Sequence, residues 1–118
     1  MYRPSLDTKS PNCYYVGIGS LDVHHSSGVA NHFYYLLAQG SNPTSGPASP
    51  TCNGASLTGI GRGAAEKIWY RALTVYMTSS TTYAGARTAT IQAAKDLLGS
   101  VSPEQNAVTA AWSAVNVN

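Results

Sequence analysis

Charge is scarce in this chain. Only 10% of its 118 residues are Asp, Glu, Lys or Arg, and the formal net charge is +2. Arg62, Lys67, Arg71, Arg87 and Lys95 are spread along the sequence. That spread excludes the basic footprint of a nucleic-acid-binding protein and the basic patch of one that sits on a membrane surface. Long apolar runs are missing as well, so nothing reads as a membrane span. Residues 1–20 hold Pro4, Asp7, Lys9 and Pro11 around no apolar core. No secretory leader is expected there; the targeting segment of an exported protein would lie outside these residues, and Met1 need not be a natural start.

Familiar catalytic signatures are absent too. The chain has no H-E-x-x-H, no G-x-S-x-G, no phosphate-cradling loop and no paired carboxylates. Gly59-Ile60-Gly61-Arg62-Gly63 does not follow a long strand, so it reads as a tight turn into a helix rather than a dinucleotide site. What is present is polarity carried by Ser, Thr, Asn, Gly and Tyr, a balance common among secreted bacterial enzymes. The two cysteines, Cys13 and Cys52, lie in loop-like stretches and outside any C-x-x-C spacing. They read as a disulfide, with free thiols as the alternative. A bridge closing a loop of roughly 40 residues would add about 3–4 kcal/mol in the chain-entropy model.

The length allows one domain with a modest core. Residues 1–21 read as loop and turns. A first helix is expected to start near Ser26 or Ser27 and run to about Gln39, with Val29, Phe33, Leu36 and Leu37 on its buried face and Gly40 ending it. Residues 40–56 form a long loop, and Leu57–Gly61 a short extended piece. A second helix spans about Ala64–Met77, with Ile68, Trp69, Ala72, Leu73 and Tyr76 as a wide apolar face. A third covers about Tyr83–Leu98 and stops at Gly99. A fourth opens on Ser102-Pro103-Glu104-Gln105, a capping box with proline at the first helical position, and continues to about Val115. The fold class is all-α: an orthogonal bundle of about four to five helices behind a loop-rich N-terminal segment.

Chemistry points to Asp22-Val23-His24-His25-Ser26-Ser27-Gly28-Val29. If residues 22–24 are extended, Asp22 and His24 share one face. The carboxylate can then hold one imidazole nitrogen and leave the other free to donate to a substrate. The plainer alternative is that Asp22 only caps or orients a buried histidine. A metal reading pairs His25 with His32, but no third or fourth ligand is evident, so no metal is expected within this chain. No motif places a nucleophile, so the pair is half of a site.

These same residues, with Asn31 and Phe33-Tyr34-Tyr35-Leu36-Leu37, resemble the C-terminal helical domain of the thermolysin-like neutral zinc metalloendopeptidases. The resemblance runs on through Gly59-Ile60-Gly61-Arg62, Lys67–Leu73, Tyr76-Met77, Ala86-Arg87-Thr88-Ala89, Asp96–Ser100 and the terminal Ala110–Val115. It covers nearly the whole chain, is weakest over residues 40–56, and has the look of secreted actinobacterial forms. It implies that residues 1–118 are the C-terminal half of a two-domain metalloprotease. The N-terminal domain, with H-E-x-x-H, a distant Glu and the His2Glu zinc site, is absent from these residues. The zinc polarises the scissile carbonyl and activates water; most calcium ligands belong to the absent part as well.

By the same resemblance, His24 is the histidine that donates to the oxyanion of the tetrahedral intermediate, and Asp22 is the acid that orients it. Other members place that acid five residues before the histidine, where this chain has Gly19. The family's substrate-binding arginine falls just before the Met1-Tyr2-Arg3-Pro4 stretch, and Arg3 is a weak substitute for it. The implied partners are the N-terminal catalytic domain of the same enzyme and peptide substrates, with no nucleic acid and no membrane. Self-association through an exposed interdomain face is expected, and so is an extracellular location. The competing reading is a stand-alone helical binding or structural module without catalysis.

Overall fold

The computed structural model describes all residues, Met1–Asn118. Two 3-10 turns, Pro4–Asp7 and Ile18–Ser20, precede five helices: α1 (Val23–Ser26), α2 (Gly28–Gln39), α3 (Arg62–Arg71), α4 (Tyr83–Leu98) and α5 (Pro103–Ser113). A π-turn, Ala72–Tyr76, continues α3. The all-α expectation holds, and α4 has the expected bounds.

The core forms where α2 lays Val29, Phe33, Leu36 and Leu37 against the other long helices; all four are buried. Phe33 stacks on Trp112 of α5 with ring centroids 3.8 Å apart. Trp112 is itself fully buried, and its indole N–H donates to Thr90 Oγ1 at 2.7 Å. Thr90 in turn donates to the Ala86 carbonyl one turn back. Alanines 86, 89, 93 and 94 let α4 approach Val108 and Ala111 of α5 closely, so packing holds a helix whose Gly85 and threonines weaken its intrinsic propensity.

The first expected helix is α2, with Ser27 at its N-cap position, Gln39 as its last residue and Gly40 ending it. A short additional helix, α1, precedes it and is capped by Asp22. Two other features differ from the expected ones. The second helix loses its α form at Arg71: the Met77 N–H bonds to the Ala72 carbonyl, five residues back. The wider turn rotates Leu73 and Tyr76 outward, and both are exposed instead of lining the core. The capping box at Ser102 is only half made. Ser102 Oγ accepts the Gln105 N–H at 3.1 Å, but the Gln105 amide reaches forward to Thr109 rather than back.

Residues 57–61 cross the end of α2. A single antiparallel bridge joins Gly40 to Thr58, and the Ile60 and Gly61 N–H groups donate to Leu37 and Ala38. The approach is so close that a Cβ at Gly59 would sit 2.4 Å from the Ala38 carbonyl oxygen. Cys13 and Cys52 form a disulfide. Beside it, the Tyr14 and Cys52 N–H groups donate to Val115 and Ala114 past the end of α5, tying front loop, long loop and C-terminus together.

Candidate functional site

Asp22 and His24 are paired, but not as an extended dipeptide. Asp22 is the N-cap of α1, the role its short acceptor side chain favours most. One oxygen, Oδ1, accepts both the His24 backbone N–H at 2.8 Å and His24 Nδ1 at 2.6 Å. The cap and the pairing are thus one arrangement: the turn that satisfies the backbone also carries the ring onto the carboxylate. The carboxyl is held below the ordinary aspartate range, first by the His24 backbone N–H and then by the ring. His24 is not the buried histidine of the plainer alternative; its side chain is 85% exposed. With Nδ1 facing a carboxylate, Nδ1 carries a hydrogen, and Nε2 makes no hydrogen bond within the chain.

A shallow concavity of about 330 Å³ lies beside the ring, lined by Arg3, Asp7, Ser10, His24 and Asn31 among others. Arg3 and His24 therefore share a surface, although Arg3 is not bonded to the pair. Sequence reasoning missed Asp7 and Ser10. Asp7 accepts the Lys9 and Ser10 N–H groups and the Ser10 hydroxyl, which hold its pKa down at about 2. The signal was the Asp-x-x-Ser spacing of an Asx-type turn. His25 faces this second acid, with Nδ1 3.9 Å from Asp7 Oδ2 and 3.5 Å from Ser10 Oγ.

His32 does not join His25. It is fully buried, with Nδ1 2.7 Å from the Asn12 carbonyl and Nε2 2.9 Å from Ser49 Oγ. Ser49 also donates to the Tyr2 carbonyl, so this histidine ties three loops together, and burial pushes its pKa down. No three His, Cys, Asp or Glu side chains converge anywhere in the chain as a metal site would need.

Tyr83, the first residue of α4, was also missed. Its hydroxyl donates to the Ser26 carbonyl at 2.6 Å and accepts the Ala30 N–H at 3.3 Å, at the junction of α1 and α2. What the site can do chemically is limited and specific. It offers one oriented imidazole at the rim of a concavity, with no nucleophile and no metal ligand set beside it.

Residues 1–117 match the family model described as the thermolysin metallopeptidase alpha-helical domain. The chain is 48% identical over 121 residues to a transglutaminase-activating metalloprotease of Streptomyces mobaraensis, a match covering 99% of this chain and 16% of that protein. It is 45% identical over 96 residues to a bacillolysin of Bacillus cereus, covering 81% of this chain and 15% of that protein. To a thermolysin of Alicyclobacillus acidocaldarius subsp. acidocaldarius it is 44% identical over 95 residues, covering 80% of this chain and 16% of that protein. The chain thus spans about a sixth of the length of the curated relatives it matches.

Proposed function

Since the chain belongs to the thermolysin metallopeptidase family, as its alpha-helical domain, we propose that it forms one wall of the active-site cleft of a secreted zinc endopeptidase. His24, oriented by Asp22, is its hydrogen-bond donor to the oxyanion of the tetrahedral intermediate. The observation that carries this reading is the single Asp22 oxygen that holds both the His24 backbone and its Nδ1, leaving Nε2 unpartnered at an exposed rim. In the imidazolium form both nitrogens are donors, and the carboxylate at Nδ1 complements that charge. A donor aimed where negative charge appears only in the transition state raises kcat rather than ground-state affinity.

The residues of this chain do not fit a zinc site. We assign the zinc, and the calcium the family resemblance implies, to an N-terminal domain outside these residues. That domain is the partner across the cleft, and peptides are the substrates. Arg3 lines the same concavity as His24, which supports a secondary role for it in meeting a substrate carbonyl. Export fits the disulfide, which persists in oxidising compartments. No helix is long and apolar enough to cross a membrane.

The test compares hydrolysis of casein and of a furylacryloyl dipeptide amide by the complete protein, by its His24→Ala variant, and by the 118-residue chain alone. The complete protein is expected to turn over, His24→Ala to lose about 10²–10³ in kcat, and the isolated chain to be inactive and to bind no stoichiometric zinc. Turnover or stoichiometric zinc in the isolated chain overturns the proposal. An inactive complete protein instead supports a stand-alone binding module.

A further inference from the structure

We propose that Tyr83 is a positioning residue for His24: its hydroxyl occupies the break between α1 and α2 and sets the direction in which α1 presents the imidazole. The inference rests on the role proposed for His24 above.

Ser26 and Ala30 are four residues apart, so in an uninterrupted helix the Ala30 N–H would bond to the Ser26 carbonyl. Here Ser27 stands outside both helices, and the two groups meet the phenol instead. The hydroxyl donates to the carbonyl and accepts from the N–H, the insertion of a side chain into the helical ladder that bends helices. Ser27 makes no side-chain cap for α2, so Tyr83 supplies that cap from another helix.

Apart from its Asp22 cap, the only other side-chain anchor of α1 is His25, whose Nδ1 lies 3.5 Å from Ser10 Oγ and 3.9 Å from Asp7 Oδ2 at the surface. The helix has four residues and buries none of them, and Val23 is 73% exposed. The core therefore exerts no hold on α1 through its own side chains. Tyr83, by contrast, stands on firm ground. Its ring packs edge-on to Tyr14 and to Trp112, at centroid distances of 5.9 and 6.1 Å. Its backbone begins α4, where Thr82 Oγ1 accepts the Gly85 N–H. The chain of contacts runs from the buried Trp112 through Tyr83 to Ser26, two residues from His24. Removing only the hydroxyl lets Ala30 bond directly to Ser26, which straightens the junction and swings α1 with its histidine.

The experiment measures kcat and KM of the complete protein on a furylacryloyl dipeptide amide for Tyr83→Phe, His24→Ala and the double variant, with Tm for each. Tyr83→Phe is expected to lower kcat about 3- to 10-fold with KM unchanged. In the His24→Ala background it is expected to have no further effect, a non-additivity that a merely structural role would not produce. Replacing Tyr83 with 4-aminophenylalanine, which returns a donor to the Ser26 carbonyl, is expected to recover most of the rate. A wild-type kcat for Tyr83→Phe beside a large loss for His24→Ala overturns the positioning role alone. The same fold-loss in both backgrounds also overturns it. No loss for His24→Ala overturns the reading of the site and the positioning role with it. Should Tyr83→Phe fail to fold, the 4-aminophenylalanine variant decides: near-wild-type kcat supports the role, and a kcat as low as that of His24→Ala overturns it.

Discussion

At the scale of single residues, the Asp22–His24 pair combines two functions in one oxygen, and they can be separated. Asparagine is as good an N-cap as aspartate but carries no charge. Asp22→Asn should therefore leave the melting temperature of the complete protein unchanged while lowering kcat. Asp22→Ala should lower kcat and also reduce Tm by about 2–4 °C through the lost cap. Equal Tm losses in the two variants would show that charge, not capping, holds α1. His32 makes a different prediction, about pH. Burial depresses its folded pKa below the ordinary 6.5, so the unfolded chain binds the proton more readily. Its contribution to stability is present above that value and is lost as pH falls through and below it. Tm should decline from pH 6.5 toward 5 in the native protein, and His32→Gln should flatten that decline. Asp7 and Asp96, both held down at about 2, lose their contributions only in the window below 3.8. The pairing of Asp22 with His24 was legible from their spacing, but through the wrong geometry. A period of two suggested an extended pair, whereas the capping preference of aspartate placed the same two side chains together at a helix start. The burial of His32 was not legible, because its partners, Asn12 and Ser49, lie 20 and 17 residues away.

Among the elements, α2, α4 and α5 could be read from apolar period, caps and the glycines at 40 and 99, since each of those signals is local. The breaks could not. α1 parts from α2 because of a tyrosine 57 residues distant from Ser26. The π-turn after α3 is pinned by Asp96 on α4, which accepts from Arg71 Nε at 2.9 Å and from the Tyr76 hydroxyl. Irregularity here is imposed by tertiary contacts, which sequence windows do not contain. Ser102 offers an element-scale test. Its hydroxyl caps α5, so Ser102→Ala should cost about 1 kcal/mol. Gln105→Ala should cost little, because the Gln105 amide does not close the capping box. Equal losses in denaturant titrations would restore the reciprocal box. Gly59→Ala should be the more damaging change, by at least about 2 kcal/mol. Its Cβ would meet backbone of α2 that cannot move without opening the Gly40–Thr58 crossing.

Across the whole molecule, stability is concentrated on one side and exposure on the other. The disulfide, His32 and the strands of loop around them tie residues 2, 12–14, 49–52 and 114–115 into a knot. The region around α1 has no such knot. Val16 is 94% exposed and Val23 73%. Between α1 and the π-turn lies a cleft of about 470 Å³ lined by Tyr14, Ile18, Leu73, Met77 and Tyr83 among others. Single exposed apolar residues are ordinary, but apolar side chains gathered at a concavity next to a catalytic candidate are the usual mark of a covered surface. The relatives that this chain matches are about five to six times its length, so in those proteins the rest of the polypeptide is long enough to hold a domain that covers such a surface. Interfaces between domains of one chain are large enough to leave a sizeable apolar face when one partner is taken away. The 118-residue chain alone should therefore self-associate as its concentration rises, while the complete protein stays monomeric over the same range. Light scattering on both decides the matter. Introducing Leu73→Lys in the lining of the cleft should reduce association of the isolated chain, since a charge there must be buried for two copies to meet. A strictly monomeric isolated chain at high concentration would mean that this surface is stable in water as it stands, and that the proposed N-terminal domain contacts a different face.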